Sequence, residues 1–497
     1  MEQGIKKDKV EGNKLNLMYK LKKDTLQYAP AIIIPALLNV VAVMLFTRIF
    51  NPKDYGVYTL VITTSLVISS IFSQWIMQSI QRFRPAYLSE NRLDEFNNNL
   101  RILILFISVL LYGLSTLIYV FFSNILDIDR TIYWSSVLLV FSQVLFNIGL
   151  VIYQSDMKAR NYRIYQLING VSKFLLSILI IFLLNKNVIS IVWATAFSML
   201  VLIIPIYKDI GLIKIKYIKF QRNNFLTFFN KMFSYGFPMI GWFLGNSLLG
   251  LSDRYIIKFF RGAQEVGIYS ANYSLVTMGL GLICGPLLTA AHPVIMNYTN
   301  NSNKQDVQKT ITNFSKLFLV ITIPLSFYIS LNSSSIVEIL LGSKFREGSV
   351  IVPITIIGII LWNFAMYGHK GHEITGKTKM MMFFVFLSVF INIILNFLLV
   401  PKFGYVGAAI ATLLANASYP ILIYYSSSRT IKWIIPWDNL FKITFSSVLA
   451  SFLTGILIYI FNFIILIPII IKLIISALLG GFIYYKCINF FKRKDKC

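Results

Sequence analysis

The sequence predicts an all-α integral membrane protein with about 14 transmembrane helices: two parallel six-helix repeats followed by two C-terminal helices. Three observations predict this fold class, namely the composition, the number of long apolar segments and a motif that occurs twice. Of the 497 residues, 57% are hydrophobic and only 13% are charged. A water-soluble domain carries roughly 25% charged residues, so this chain has too few to cover a water-soluble surface.

Long apolar segments occur fourteen times along the chain. A helix needs about 20 mostly apolar residues to cross a bilayer, and each of these segments meets that requirement. The first 27 residues are polar and include seven lysines, so we expect no cleavable signal peptide. We number the segments spans 1 to 14; they cover residues 28–50, 57–81, 101–122, 131–154, 164–184, 188–207, 233–258, 267–292, 314–331, 350–368, 380–400, 405–425, 440–461 and 463–485.

The net charge of +26 is distributed unevenly between the two sides of the predicted membrane domain. The side that holds both termini carries 34 of the 46 Lys and Arg residues, and the other side carries 10. Because basic loops are retained in the cytoplasm, both termini are predicted to be cytoplasmic. Topology and attraction to anionic lipid therefore explain the charge without nucleic acid.

The cysteines suggest no disulfide framework. Cys284 falls inside a predicted span, and Cys487 and Cys497 fall on the predicted cytoplasmic side, where thiols remain reduced.

A short motif occurs once after span 1 and once after span 7. The segments "RIFNPKDYGVYTL" and "KFFRGAQEVGIYSAN" each place an acidic residue two positions before a glycine and a tyrosine two positions after it. An even number of spans separates the copies, so both have the same orientation, as in repeats related by an axis along the membrane normal. The offset of 211 residues pairs Asp54, Gly56 and Tyr58 with Glu265, Gly267 and Tyr269, and an earlier offset of 207 pairs Tyr28 and Asn39 with Tyr235 and Asn246.

The repeat predicts an N-lobe at residues 1–217, a C-lobe at 218–430, and a third part at 431–497 with spans 13 and 14 and a basic tail. We interpret the motif as the outer turn between the first two helices of each lobe. Glycine permits the positive φ of a tight reversal, and the tyrosine ring suits the membrane interface.

Four segments carry a resemblance to a known family. They are "TRIFNPKDYGVYTL", "QRFRPAYLSE", "LSDRYIIKFFRGAQEVGIYSANYSL" and "LVPKFGYVGAAIATLLANA". Over about residues 20–430 the chain resembles Wzx-type polysaccharide flippases of the multidrug/oligosaccharidyl-lipid/polysaccharide exporter superfamily. The resemblance implies a V-shaped pair of six-helix bundles around a central cavity.

The implied activity is translocation of an undecaprenyl-diphosphate-linked oligosaccharide from the inner to the outer leaflet of the bacterial cytoplasmic membrane, for capsule or O-antigen synthesis. The implied partners are this lipid-linked substrate, membrane lipids, and polysaccharide polymerase and co-polymerase proteins. We expect a monomer without a cofactor and without nucleic acid.

A diphosphate that crosses hydrocarbon needs cations and hydrogen-bond donors at membrane depth. Polar residues inside spans are costly, which makes each of them a candidate for function. The candidates for substrate binding are Lys173 in span 5; Gln74, Gln78, Gln81, Arg82 and Arg84 at the end of span 2; Asp253 and Arg254 late in span 7; Asn39 and Asn246 on spans 1 and 7; and His292 after span 8.

Each candidate also has a structural interpretation. Lys173 could extend to the cytoplasmic interface, and the glutamines and arginines of span 2 could hold helices together or anchor the inner end. Asp253 and Arg254 could form a local ion pair or a gate. The two asparagines could pack between helices. The histidines of "YGHKGHEITGK" lack metal-ligand spacing, so we expect an ordinary cytoplasmic loop and no metal.

Prolines predict hinges in spans 1 and 7. Proline removes a backbone donor and bends a helix, and bending these two helices would let the lobes rock in alternating access. Packing of small residues is the competing interpretation of the glycines nearby. The predicted hinge residues are Pro30, Pro35 and Pro238.

Other functions fit the sequence less well. No GxxxxGK[ST] motif is present, and the longest predicted outer loop, 332–349, contains only two acids, which disfavours an ATPase and a membrane enzyme. A cation-coupled multidrug exporter of the same superfamily would favour an acidic cavity, whereas most acids here lie in loops; Asp253 is the one carboxylate suited to ion coupling. A lipid II or teichuronic-type exporter would share the proposed mechanism, and that alternative stays open.

The charge asymmetry generates a topology test. After replacement of the native cysteines, single cysteines at Lys53, Asp129 and Lys344 should react with an impermeant thiol reagent added to intact cells. Cysteines at Lys219 and Lys377 should react only after permeabilisation, because their loops are predicted to be cytoplasmic. The reverse labelling pattern would show that the charge asymmetry has been misinterpreted.

Overall fold

The computed structural model describes residues 33–126, 129–183, 187–213, 221–301, 304–427, 431–464 and 468–494. Regular structure in these ranges is entirely helical, which confirms the predicted all-α class. The elements are α1 (Ile33–Ile49), α2 (Pro52–Ser89), α3 (Leu93–Leu126), α4 (Arg130–Ser155), α5 (Ala159–Leu183), α6 (Ile189–Ile210), α7 (Arg222–Arg261), α8 (Ala263–Asn301), α9 (Lys304–Leu331), α10 (Ser333–Leu340), a 3-10 helix (Ser343–Val350), α11 (Ile351–Ile374), α12 (Thr378–Ser427), α13 (Trp437–Ile464) and α14 (Ile469–Lys494).

Eleven segments among the described residues are long and apolar enough to cross a membrane. α12 counts as one of these eleven segments, although it covers two predicted spans, 11 and 12. Neither α1, described from Ile33 onward, nor α7 is among the eleven. The protein is therefore a multi-pass membrane protein, and the number fourteen stays a prediction.

Two helix features follow from single residues. Asp129 caps α4 by accepting hydrogen bonds from the backbone N–H groups of Ile132 (3.1 Å) and Thr131 (2.7 Å), and these donors lower the pKa of its carboxyl. Within α12, Gly404 has φ 56° and ψ −138°, a conformation that glycine adopts without a Cβ penalty. This kink lies between predicted spans 11 and 12.

The chain forms two compact units, and the boundaries fall inside α1, α2 and α7. The first unit comprises Met1–Ala42 and Val61–Leu244, and the second comprises Val43–Leu60 and Gly245–Cys497. The lobe boundaries at 217 and 430 stay a prediction.

The core of the first unit is built from α2, α3, α4, α6 and the first half of α7. α4 and α5 both pack against α6. α2 and α7 approach closely at Gly236, where a Cβ would overlap the carbonyl oxygen of Trp75. One turn away, the Ser79 hydroxyl donates a hydrogen bond of 2.6 Å to the Met232 carbonyl. A side chain at position 236 would therefore separate the two helices.

In the second unit, α11 packs against α8, α9 and α12, and α13 packs against α9 and α14. Trp433 lies fully inside this unit, with its indole against Gly368. The segment that was predicted as a long outer loop, 332–349, folds into α10 and most of the 3-10 helix. Arg346 forms an ion pair of 3.2 Å with Glu338 there.

The repeated glycines have a different role from the predicted one. Gly56 and Gly267 lie in the first two turns of α2 and α8, and neither has a positive φ, so the interpretation as reversal residues is wrong. A Cβ at Gly56 would overlap the carbonyl oxygen of Ala263, and a Cβ at Gly267 would overlap that of Pro52. Pro52 and Ala263 are themselves related by the 211-residue offset. The contact is thus reciprocal, as a local twofold axis requires.

The other motif residues support this contact. Asp54 forms a capping arrangement with Asn51, whose Oδ1 accepts from the Asp54 N–H at 2.8 Å. Glu265 accepts a hydrogen bond from the backbone N–H of Tyr405, just after the kink, at 3.0 Å. Tyr269 is fully buried, so its ring packs inside the second unit, and its predicted depth at the membrane interface stays a prediction. The motif holds helices together and does not form a turn.

The Gly56–Gly267 contact predicts a large effect of one methyl group. Gly56→Ala should lower the free energy of unfolding by about 1–3 kcal/mol, because the backbones of α2 and α8 must separate. The matched control is Gly279→Ala in α8, where a Cβ would meet no atom within 4 Å; it should be neutral or slightly stabilising. Thermal unfolding in detergent measures both, and equal melting temperatures would contradict the proposed packing role.

Candidate functional site

The contact between α1 and α5 places polar residues inside the first unit. A Cβ at Gly170 on α5 would lie 3.1 Å from the Cβ of Pro35 on α1. Three helices, α2 to α4, lie between α1 and α5 in the chain. Because successive helices run in opposite directions, α1 and α5 run in the same direction. Asn39 follows Pro35 by one turn, and Lys173 follows Gly170 by about one turn. Asn39 and Lys173 therefore lie at the same level of the α1–α5 contact.

Both side chains are half-buried. Among the described residues, no hydrogen bond or ion pair engages the Lys173 ammonium or the Asn39 amide. An ammonium in a membrane-spanning helix without an acidic partner is costly unless an anion or water reaches it. This arrangement gives Lys173 the properties expected of a ligand-binding cation.

Further polar side chains follow the same face of α5. Gln166 precedes Lys173 by two turns, and its Oε1 is buried without a hydrogen-bond partner in the described part of the chain. Asn169 is buried, and its Oδ1 accepts a hydrogen bond of 3.1 Å from the Ser198 hydroxyl on α6. Sequence reasoning missed Gln166 and Asn169. Their signal was the recurrence of polar residues every three to four positions in "YQLINGVSKFLLS", which is helical spacing.

Arg84, in contrast, is held by partners within the protein. Its guanidinium makes two parallel hydrogen bonds to Asp156, Nε to Oδ1 at 2.7 Å and Nη2 to Oδ2 at 3.0 Å. Nη1 donates to Asn97 at 2.7 Å, and the group lies over the Phe96 ring. The Arg84 side chain is 2% exposed. This geometry ties α2 to α3 and to the end of α4, and each of the three guanidinium nitrogens of Arg84 donates a hydrogen bond within the protein.

The other candidates on α2 differ in exposure. Arg82 is exposed and has no ion-pair partner among the described residues. Gln81 is exposed and donates a long hydrogen bond of 3.3 Å to Gln154. Gln74 and Gln78 are half-buried, and the described residues offer neither of them a hydrogen bond.

Asp253 forms the most complete polar centre of the second unit. Its Oδ1 accepts hydrogen bonds from Asn392 (3.0 Å) and Asn396 (2.8 Å), and its Oδ2 accepts from Tyr269 (2.7 Å) and Thr412 (2.6 Å). The carboxylate is 0% exposed. Sequence reasoning missed its partners on α12, for which the signal was two asparagines one turn apart in "FINIILNFLLV". Four neutral donors stabilise a buried carboxylate without a cation.

Arg254 points to different partners. Its Nε donates to the Ser270 hydroxyl at 3.1 Å, and Nη1 donates to the Gly250 carbonyl. The guanidinium lies 5.7 Å from the Tyr273 ring centroid. Within the described residues no ion pair joins Asp253 to Arg254, so the local ion-pair interpretation is wrong.

His292 belongs to a polar cluster between α8 and α11. Lys370 donates hydrogen bonds to His292 Nδ1 (2.8 Å) and to Glu373. His369 and His372 lie inside α11 and are buried, so the expectation of an ordinary loop at these two residues is wrong. Each histidine has a local hydroxyl neighbour: His369 contacts Tyr419 at 2.8 Å and His372 contacts Ser426 at 2.9 Å.

Asn246 and the predicted hinge prolines lie in predicted spans 1 and 7. Asn246 is exposed on the part of α7 that belongs to the second unit. Pro35 lies in α1 against Gly170, and Pro238 lies within α7, which is one continuous helix. Pro30 lies outside the described residues. The hinge function of these prolines stays a prediction.

Comparisons with known proteins agree with this fold. A family model described as "Polysaccharide biosynthesis protein" matches residues 21–299, more than half of the chain, and a second, described as "MatE", matches 238–398. The chain belongs to the polysaccharide biosynthesis protein family, in the multidrug/oligosaccharidyl-lipid/polysaccharide exporter superfamily. It is a membrane transporter and not an enzyme.

Individual relatives are distant. The chain is 25% identical over 395 residues to an uncharacterized membrane protein, MJ1068, of Methanocaldococcus jannaschii, covering 73% of this chain and 75% of the relative. It is 25% identical over 418 residues to the capsular polysaccharide biosynthesis protein CapF of Staphylococcus aureus, covering 80% and 96%. A solved structure of the lipid II flippase MurJ, inward closed conformation, matches with a TM-score of 0.77 and 17% identity over 95% of this chain and 100% of that one. That likeness supports the fold alone.

The two arginines of α2 provide a test with an internal control. Arg84→Ala should destabilise the protein by about 3–5 kcal/mol, because Asp156 would remain buried without its partner. Arg82→Ala, two residues away and exposed, should change stability by less than about 0.5 kcal/mol. Arg84→Lys should recover only part of the loss, since an ammonium cannot make the paired hydrogen bonds. Thermal unfolding measures all three, and a stable Arg84→Ala protein would refute the structural role.

Proposed function

We propose that this protein translocates an oligosaccharide linked to undecaprenyl diphosphate from the inner to the outer leaflet of the bacterial cytoplasmic membrane, by alternating access. The substrate serves surface polysaccharide synthesis, such as capsule or O-antigen, and both termini of the protein face the cytoplasm. The family match supports the class of transporter. The name of the relative CapF supports a polysaccharide precursor as the cargo.

The chemistry proposed for the substrate rests on the position of Lys173. This lysine is a half-buried cation within a membrane-spanning helix, and no acid lies in an ion pair with it among the described residues. A diphosphate carries negative charge that hydrocarbon cannot solvate, and an ammonium is a compact point charge suited to it. We therefore assign the diphosphate to Lys173.

Asn39 and Gln166 extend this assignment to the sugar. The Asn39 amide lies level with Lys173. Two turns away on α5, Gln166 has a buried oxygen to which no described residue donates a hydrogen bond. Amides both donate and accept hydrogen bonds, which matches the hydroxyl groups of a sugar next to the diphosphate. We propose that these residues bind the first sugar unit.

Arg84 is left out of the proposed site because its donors bond to Asp156 and Asn97. Arg82, which is exposed at the same end of α2, can attract the anionic substrate to the cytoplasmic side. Polysaccharide polymerase and co-polymerase proteins are proposed partners, since the translocated unit must be polymerised.

The proposal predicts that charge at position 173 is required. Lys173→Gln should reduce export of surface polysaccharide by at least about tenfold, because the diphosphate would lose its cation at membrane depth. Lys173→Arg should retain most of the activity, since the charge is kept although its geometry differs. Export is measured in a strain that lacks the native gene, together with the undecaprenyl-linked intermediates that accumulate inside the cell.

The control is Lys379→Gln, which removes an exposed lysine at the start of α12 and should leave export unchanged. Membrane abundance of each variant must match the wild type. Normal export by Lys173→Gln would make Lys173 an interfacial anchor. Normal export by a variant that also lacks Asn39 and Gln166 would refute the site and would favour a multidrug exporter.

A further inference from the structure

A separate cavity lies in the second unit, between α9, α13 and α14. Its volume is about 820 Å³, within the range of pockets that hold small ligands. The residues of α14 that line it lie along one face of the helix, from Lys472 to Tyr484. Twelve residues at 1.5 Å each make this face about 18 Å long, close to the thickness of one leaflet, about half of the 30 Å hydrocarbon core.

The wall of this cavity is effectively apolar. The Tyr328 hydroxyl donates to the Leu473 carbonyl at 2.8 Å, and the Tyr484 hydroxyl donates to the Val320 carbonyl at 3.0 Å. Ser447 and Thr454 donate to carbonyls of their own helix. Because these hydroxyl groups already donate to backbone carbonyls, they are not free to donate to a sugar. A hydrocarbon chain suits it better.

One end of the cavity carries a cation. Lys472 lies in the first turn of α14 and is the single charged residue of the described lining. It is half-buried, and no acid pairs with it in the described part of the chain. Asn332, at the end of α9, lines the same end of the cavity. The unpaired N–H groups of a helix N-terminus add to the positive potential there.

We infer that this cavity binds an anionic phospholipid, with one acyl chain along α14 and the phosphate at Lys472. The length of the cavity matches an acyl chain that reaches the middle of the bilayer, whereas an undecaprenyl chain would extend well beyond it. A single lysine matches the single charge of a phosphodiester. The inference does not depend on the proposed function.

The test compares lipids bound to the full-length protein purified in mild detergent. Native mass spectrometry with added phosphatidylglycerol or phosphatidylcholine should show one retained phosphatidylglycerol and a preference for it. Lys472→Gln should reduce that preference about fivefold, the effect of one lysine near an anionic headgroup. Gly481→Leu should reduce binding of both lipids, since a Cβ at Gly481 meets no atom within 4 Å and the side chain can occupy the groove.

Lys486→Gln is the matched control. Lys486 lies on the same helix, over the Phe482 ring, and does not line the cavity. Lipid preference in this variant should equal that of the wild type. Three results would each overturn the inference: equal retention of the two lipids by the wild type, an equal loss in Lys486→Gln and Lys472→Gln, or displacement of phosphatidylglycerol by an equimolar polyprenyl diphosphate.

Discussion

Hydrocarbon supplies no hydrogen bonds, and every polar group in these long helices is subject to that constraint. Asp253 meets it with four neutral donors from two helices, α8 and α12. Arg84 meets it with Asp156, Asn97 and an aromatic ring. These residues stabilise the helix bundle because removal of either would leave several partners buried and unpaired. A buried charge that is paired in this way therefore indicates a structural role in the first place, and a role in function only after that.

Lys173 and Lys472 are different because the protein provides no counter-charge for either in its described residues. Lys173 has amide side chains nearby on α1 and α5, whereas Lys472 lies at the end of an apolar groove. On the two proposals made above, these different surroundings select two different anionic ligands. Amides beside a cation suit a phosphorylated sugar, and hydrocarbon walls beside a cation suit a phospholipid.

Close helix contacts provide the other constraint on this fold. At Gly56, Gly267 and Gly236 a single methyl group would overlap a neighbouring backbone. Small residues allow helices in membranes to approach until their backbones touch. The reciprocal contact of Gly56 and Gly267 also explains why the chain carries the same motif twice: two copies of one surface meet across a local twofold axis.

The all-α membrane class and most spans follow from the sequence alone, because apolar length is a local property of the chain. Lys173 was also found this way, since a charge inside an apolar segment is conspicuous. The partners of Arg84 and Asp253 were not predictable: Asp156 is 72 residues from Arg84, and Asn396 is 143 residues from Asp253. The same applies to the repeated glycines, whose role depends on which backbone lies opposite. Hydrophobicity therefore determined where this chain crosses the membrane, and long-range packing decided which of its polar residues are already paired and which remain available to a ligand.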